Sequence, residues 1–271
     1  MAEAPWVAPA LGLLVGFALA LTGAGGGVLS VPLLLFVLHL GMAQAAPVSL
    51  LAVTLAAGIG AWLAWRNRVL RYRAAGLMAT AGLLCAPVGQ WLAARLPEPP
   101  LMLLFAGVLA VAATRTLRLA ARELRGEEGV RPANAPCRLD PATGRLHWTS
   151  RCAVVLTLAG ALAGLLSGLL GVGGGFVLVP ALLAATDLPM KAVVATSMGV
   201  IALVCAGAAL SAAVQGRMPW EVALPFAGGA VAGLVGGRAW ARRLSGPRLQ
   251  QGFGVLSLGV ALAMVVRALA R

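Results

Sequence analysis

Long uncharged and mostly apolar runs alternate with short arginine-rich segments along almost the whole chain. Most of these runs reach the roughly 18 to 20 residues that a helix needs to cross the hydrocarbon core of a bilayer. The runs without Asp, Glu, Lys or Arg are 7–39, 40–65, 74–94, 99–114, 152–186, 192–216, 222–237 and 249–266. The pattern predicts an all-α integral membrane protein with several spanning helices.

Composition supports this prediction, because 61% of the 271 residues are hydrophobic, 11% are charged and the mean hydropathy is +0.94. In a soluble protein, the formal net charge of +13 would suggest nucleic-acid binding. Here the arginines cluster in short segments between apolar runs, as in the cytoplasmic loops of membrane proteins. We therefore expect a multi-pass protein of the inner (plasma) membrane, with the lipid bilayer and no nucleic acid as its partner.

The chain contains an internal repeat with an offset of 148 residues. Residues 23–32 read GAGGGVLSVP and residues 171–180 read GVGGGFVLVP, and 11 of the 28 positions from 23 to 50 are identical in the second copy. In each half, the glycine-broken segment is followed by three ordinary apolar spans. We expect a transmembrane repeat at 1–117, a polar cytoplasmic linker at 118–151 and a second transmembrane repeat at 152–271.

The arginines also indicate how the halves are oriented. The basic loop is 66–73 in the first half, whereas in the second half it lies one span later, at 238–248. This shift is what inversion of one repeat produces, and it places seventeen of the 21 basic residues on one side. Each glycine-broken segment must then leave and return on the same side, either as two short spans or as a re-entrant hairpin. We expect ten helices with both termini outside, and eight helices in parallel halves remain the alternative.

Other residue classes argue against an enzyme. Cys85 and Cys205 lie inside apolar runs, and Cys137 and Cys152 flank a basic segment without ligand spacing, so we expect neither a disulfide framework nor a metal site. No G-x-S-x-G, Walker lysine or H-E-x-x-H motif occurs, and the spans hold too few carboxylates for acid–base catalysis. We expect no cofactor.

The two glycine clusters are the strongest candidates for a binding site. A helix that starts after Gly27 or Gly175 directs its first backbone N–H groups and its dipole at the turn, where they favour an anion. Two such turns, related by the repeat, would face each other near the bilayer midplane. The alternative is that glycine serves close helix packing. The predicted substrate-binding glycines are Gly23, Gly25, Gly26, Gly27, Gly171, Gly173, Gly174 and Gly175.

Three motifs resemble those of the sulfite exporter TauE/SafE family. They are the duplicated glycine segment, the pair 195–197 (ATS) with 47–49 (PVS), and the segment 229–244 (GAVAGLVGGRAWARRL) before a last apolar span. The resemblance covers nearly all of the chain outside 118–151. It implies that the protein exports small sulfur oxyanions or organosulfonates and holds its substrate between the two repeats.

Polar residues inside the spans extend the predicted site. Ser49, Thr196 and Ser197 lie at equivalent starts of the second span of each half and can donate hydroxyl hydrogen bonds to an anion, or can instead serve their own helices. Gln90 and Arg238 are also repeat equivalents, and Arg238 either contacts the substrate or reaches the inner surface.

We therefore expect an exporter of a small anionic substrate, most plainly sulfite or a related oxyanion, that works by alternating access. The alternatives are a non-transporting membrane scaffold, for which the glycines serve packing only, and a channel-like permease for another anion. A homodimer is left open.

Overall fold

The computed structural model describes residues 6–22, 26–125, 137, 149–244 and 247–269. Within them the chain forms ten α-helices and one short 3₁₀ helix, and it contains no β-strand. The helices are α1 (Val7–Thr22), α2 (Ser30–Phe36, preceded by the 3₁₀ helix Gly26–Leu29), α3 (Met42–Arg66), α4 (Tyr72–Arg95), α5 (Glu98–Leu124), α6 (Ser150–Leu170), α7 (Gly175–Ala185), α8 (Met190–Val214), α9 (Trp220–Leu244) and α10 (Pro247–Leu269). The predicted all-α class is confirmed.

The outer surface of the bundle matches a bilayer. Six of the described helices are long and apolar enough to cross a membrane, and the central α3 and α8 have 25 residues each, about 38 Å of helix. Large apolar side chains such as Leu84 and Val214 are about four-fifths exposed, as expected where lipid replaces water. Exposed tryptophans lie near helix ends, which is where interfacial aromatic residues anchor a membrane protein.

Small residues let two pairs of helices approach closely. Helix α1 packs against α9 in parallel, because Gly12 meets the Phe226 carbonyl and Gly16, one turn later, meets that of Ala230. Helix α4 packs against α6 in the same way, with Gly164 against the backbone of Gly82. A methyl group at Gly164 would lie 2.2 Å from the Gly82 carbonyl oxygen, so only glycine allows this approach.

Helices α3 and α8 cross the centre of the molecule in antiparallel directions. The middle of α3, at Val53, faces Ile201 of α8 across Gly173, whereas the later Gly60 of α3 lies against the earlier Met198 of α8. Helix α9 packs beside α3, and α4 packs beside α8. Helices α5 and α10 form a further contact, where Gly254 lies against Leu117. These contacts follow the repeat. The α3–α9 contact is the counterpart of α8–α4, and the α3–α8 and α5–α10 contacts each join two helices that are counterparts 148 residues apart.

The directions of these helices define two sides of the molecule. We name the side on which α5 ends and α6 begins the linker side. Because α4 runs parallel to α6, α4 also begins there, so the α3–α4 loop 67–71 and the start of α8 lie on the linker side. The ends of α4, α6 and α8 and the start of α3 therefore lie on the opposite side.

The two glycine-broken segments form hairpins with one long and one short arm. Helix α6 is capped at its start by Thr149, whose hydroxyl accepts a hydrogen bond from the Cys152 N–H, and at its end by Gly171, which has a left-handed φ of 73°. The chain turns back through Gly174, also left-handed, and α7 follows for 11 residues. That arm spans about 16 Å, roughly half of the hydrocarbon thickness. In the first hairpin, the 3₁₀ helix and α2 together have the same length.

A disulfide joins Cys137 to Cys152, so the prediction against a disulfide is wrong for this pair. The bond holds position 137 at the first turn of α6, where the Cys137 N–H also donates to the Ala185 carbonyl at the end of α7. The two cysteines are 15 positions apart in the sequence. Cys137 lies close to Cys152 because α7 returns toward the start of α6 and its last residue, Ala185, binds the Cys137 backbone. Cys85 and Cys205 are free thiols.

Two predicted boundaries change. Helix α5 extends to Leu124, seven residues into the predicted linker 118–151, and α6 begins at Ser150. Helix α3 begins at Met42, two residues after the start of the uncharged run 40–65, and includes Pro47 in its second turn. Proline at this position lacks the N–H that would bond the Ala43 carbonyl four residues earlier, so it removes one hydrogen bond near the start of the helix. Most of the linker lies outside the described residues.

Candidate functional site

The two glycine turns contact each other at the centre of the molecule. A methyl group built on Gly27 would lie 3.3 Å from the Val172 carbonyl oxygen of the other turn. The same methyl group would be 3.0 Å from a methyl carbon of Val53 on α3. The two turns therefore lie against each other in the structure.

Apolar side chains fill the immediate surroundings of that contact. A methyl group built on Gly173 would meet Val53, Cys205 and Ile201 at 3.0, 3.1 and 3.2 Å. Val53, Ile201 and Cys205 are each 2% exposed or less. At the turns themselves the structure therefore has close packing, and the open space lies elsewhere.

Several predicted glycines have a packing role. A methyl group on Gly26 would lie 2.3 Å from the Leu19 nitrogen, and one on Gly174 would lie 2.6 Å from the Ala163 carbonyl oxygen. Both glycines let the returning chain lie directly on the first arm of its own hairpin. Gly175 is the first residue of α7 and is buried. Gly23 and Gly25 lie outside the described residues.

The predicted hydroxyl groups differ between the two halves. In the first half, the Ser49 hydroxyl contacts the Ser30 hydroxyl, which donates to the Gly27 carbonyl at 2.5 Å. Its counterpart Ser197 is fully buried and its hydroxyl has no hydrogen-bond partner. The neighbouring Thr196 hydroxyl accepts a hydrogen bond from the Arg71 backbone N–H at 3.3 Å. Thus the Ser49 hydroxyl binds a residue of the first hairpin, whereas the Ser197 hydroxyl makes no hydrogen bond.

A cavity of about 350 Å³ lies on the side opposite the linker. It is formed where α3 begins and where α4, α6 and α8 end, with Leu50 and Gly168 among its lining residues and Glu98, Gln215 and Arg217 as its other polar ones besides Gln90. The cavity is large enough for a small oxyanion with several waters.

The cavity reaches the second glycine turn. Gly168 lines it one helical turn before Gly171, and a methyl group on Gly171 would lie 2.5 Å from Ala46, another lining residue. Only one layer of small residues therefore separates the open space from the turn.

Gln90 is the one predicted binding residue among the residues that line this cavity. Its side-chain amide donates to the Ala208 carbonyl of α8 at 2.7 Å. Its counterpart Arg238 is partly buried on α9, which packs beside α3 just as α4 packs beside α8. Gln90 and Arg238 thus lie at equivalent helix–helix contacts, α4 with α8 and α9 with α3, on opposite sides of the molecule.

Sequence reasoning missed Glu98, Gln215 and Arg217 at the cavity. A signal was available, because Arg217 and Glu98 are among the few charged residues of the sparsely charged loops on that side. It also missed Arg71, which reaches Thr196 across 125 positions of sequence. Pairings of this kind depend on which loops the fold brings together.

Comparison with known proteins adds independent findings. The family model of the sulfite exporter TauE/SafE matches residues 8–264. Two relatives from different strains of Xylella fastidiosa, each named "Probable membrane transporter protein", are 31% and 30% identical over 262 residues, 94% of this chain and 93% of each relative. The Bacillus subtilis "Probable membrane transporter protein YunE" is 26% identical over 233 residues, 81% of this chain and 82% of that protein. No solved structure matches significantly. The chain belongs to the sulfite exporter TauE/SafE family of membrane transporters.

Proposed function

We propose that this transporter exports small sulfur oxyanions, such as sulfite, by alternating access. Support comes from the family and from the cavity beside the Gly171 turn, which is the observation that carries the proposal. The cavity combines apolar walls with a few polar groups, as expected for a site that binds a small solute and releases it again.

We infer that the two halves are inverted repeats. Helices α3 and α8 are counterparts 148 residues apart and run antiparallel, which a parallel duplication would not give. The α1–α9 and α4–α6 contacts pair each hairpin with the opposite half. Rocking of one half against the other would therefore close one side while it opens the equivalent side.

The linker side faces the cytoplasm in this proposal. In this orientation, loops 66–73 and 238–248, segment 115–151 and Lys191 carry seventeen of the 21 basic residues. Disulfides are rare in the cytoplasm, but Cys137 and Cys152 are both fully buried, which shields their bond from cytoplasmic thiols. The cavity then opens outward, and the structure corresponds to the state that releases an exported anion.

Flux through the purified protein in proteoliposomes tests this function. Vesicles loaded with sulfite, thiosulfate or taurine should release at least one of them faster than protein-free vesicles do, and the others should compete. Equal release from vesicles with and without protein, for all three solutes, would contradict the proposal.

A further inference from the structure

One face of α3 runs from the cavity past the glycine turns to the linker side. Ala46 and Leu50 line the cavity, Val53 lies at the contact between the two turns, and Gly60 lies about two helical turns further along. Successive members of this series are four, three and seven residues apart, so they share one face of the helix. A solute that follows this face between the linker side and the cavity must therefore pass Gly60.

The side chain of Met198 on α8 covers this face at Gly60. A methyl group built on Gly60 would lie 2.7 Å from the Met198 sulfur, and Met198 is 3% exposed. Met198 comes one turn before Ile201, which lies 3.2 Å from a methyl group built on Gly173. The thioether side chain thus lies directly on the linker side of the central contact. An unbranched side chain with three rotatable bonds changes its conformation easily.

The α3–α4 loop holds the same part of α8 on a second face. The Arg71 N–H donates to the Thr196 hydroxyl oxygen at 3.3 Å, and a side-chain carbon of Leu70 lies 3.0 Å from a methyl group built on Gly199. Thr196 and Gly199 are three residues apart and therefore lie on one face of α8. The start of α8 is thus enclosed between the end of α3 and loop 67–71.

The repeat places the counterparts of these elements at the open cavity. Leu50 is the counterpart of Met198, and residues 215–219 are the counterpart of loop 67–71. Leu50 and two residues of that second loop, Gln215 and Arg217, line the cavity. Equivalent elements thus lie against each other on the linker side and border open space on the opposite side.

The hydrogen bond between loop 67–71 and α8 is confined to the linker side. The counterparts of Arg71 and Thr196 are Pro219, which has no N–H, and Val48, which has no hydroxyl group. The opposite side therefore has no equivalent of this bond, and the bond stabilises contact between the loop and α8 on the linker side alone.

We propose that Met198 and loop 67–71 form the linker-side gate of the transport path. The gate rests on the proposed function and specifies its moving parts. In the present state Met198 lies on Gly60, and the gate is closed. When one half rocks against the other, Met198 leaves Gly60 and loop 67–71 separates from α8, while Leu50 closes the cavity on the opposite side.

Labelling of two engineered cysteines by a charged, membrane-impermeant maleimide tests the gate in vesicles of known orientation. Ala195→Cys reports on the linker side, because Ala195 is buried and is the counterpart of the cavity residue Pro47. Ala43→Cys reports on the cavity side, where Ala43 is exposed. The chain without either substitution gives the background rate from its native cysteines.

Met198→Ala, added to each reporter variant, removes a contact that exists only when the gate is closed. Labelling of the Ala195→Cys variant from the linker side should rise by about five-fold or more, and labelling of the Ala43→Cys variant from the cavity side should fall. Met198→Leu is the matched control, because it keeps an apolar side chain of similar volume, and both rates should stay within about two-fold of the parent. Loosened packing would raise labelling on both sides. That result, or unchanged labelling in the Met198→Ala variants, would overturn the gate.

Cross-linking gives a second measurement that folding does not confound. In the double variant Gly60→Cys with Met198→Cys, a short bismethanethiosulfonate reagent should stop sulfite flux, and reduction should restore it in the same protein. The parent treated with the same reagents is the control. Undiminished flux through fully cross-linked protein would overturn the gate and leave the proposed function intact. Absence of sulfite flux in the wild type would instead overturn the proposed function, whereas the labelling changes do not depend on which solute is carried.

Discussion

The joint between the α3–α4 loop and α8 and its repeat equivalent, between the α8–α9 loop and α3, have related backbones and different chemistry. On the linker side, the Arg71 backbone N–H donates to the Thr196 hydroxyl, and the partly buried Arg238 lies on α9, which packs beside α3. On the opposite side, the corresponding residues are Pro219, Val48 and Gln90. The comparison teaches that the repeat supplies the scaffold, whereas substitutions at equivalent positions give the two sides different polar and charged groups.

The close glycine contacts between α4 and α6 should be the most sensitive to substitution. Gly164→Leu places a side chain against the Gly82 backbone, where even a methyl group would lie 2.2 Å from the carbonyl oxygen, so the α4–α6 contact should be lost. We expect about 3 kcal/mol or more of destabilisation, seen as a large fall in melting temperature in detergent and poor recovery of the folded protein. Gly76→Leu is the control, since no atom lies within 4 Å of a methyl group built there. An equal fall in melting temperature for both variants would show that the close contact at Gly164 does not stabilise the α4–α6 pair.

Blocking the cavity should abolish flux without unfolding the protein. Ala43 is exposed and lines the cavity, so Ala43→Trp should fill the entrance and reduce sulfite release by about ten-fold or more, given that the cavity holds only about 350 Å³. Gln44→Trp is the matched control, because Gln44 is equally exposed and lies outside the lining. Release that continues unchanged in Ala43→Trp would place the transport path elsewhere.

Gln90→Arg makes the cavity side resemble the linker side. It introduces a cation into the cavity, and we expect the sulfite KM measured from that side to fall by about five-fold at low salt. The effect should shrink as ionic strength rises, because salt screens an exposed charge. Gln90→Leu also removes the bond to the Ala208 carbonyl but adds no charge, and therefore should not lower the KM. An equal change in both variants would assign the effect to the lost hydrogen bond.

The smallest effect is expected at the two equivalent serines. Ser49→Ala removes the contact with Ser30 beside the Gly27 carbonyl and should cost about 1 kcal/mol of stability. Ser197→Ala removes a hydroxyl with no partner and should cost nothing measurable in the absence of substrate. Melting temperatures of the two variants, measured side by side, check the difference. A larger loss in Ser197→Ala would mean that its hydroxyl serves the fold after all.

The structure also changes which mutations are informative. Bulky residues at Gly26 or Gly174 would press on the backbone of Leu19 or Ala163, so those variants would report on hairpin folding. Ala43 and Gln90 border open space and report on the solute path instead.

The sequence by itself determined the membrane class, the helical spans, the 148-residue repeat and the glycine turns, because hydropathy and backbone freedom act over a few neighbouring residues. Only the tertiary structure decided what surrounds those turns, where the cavity lies and which loop meets Thr196, since these depend on how helices distant in sequence pack. The Cys137–Cys152 bond has the same origin, because α7 must first return to the start of α6. Apolar helices in lipid have similar hydropathy on every face, so their pairing is set by small residues and close packing, which local sequence patterns do not reveal.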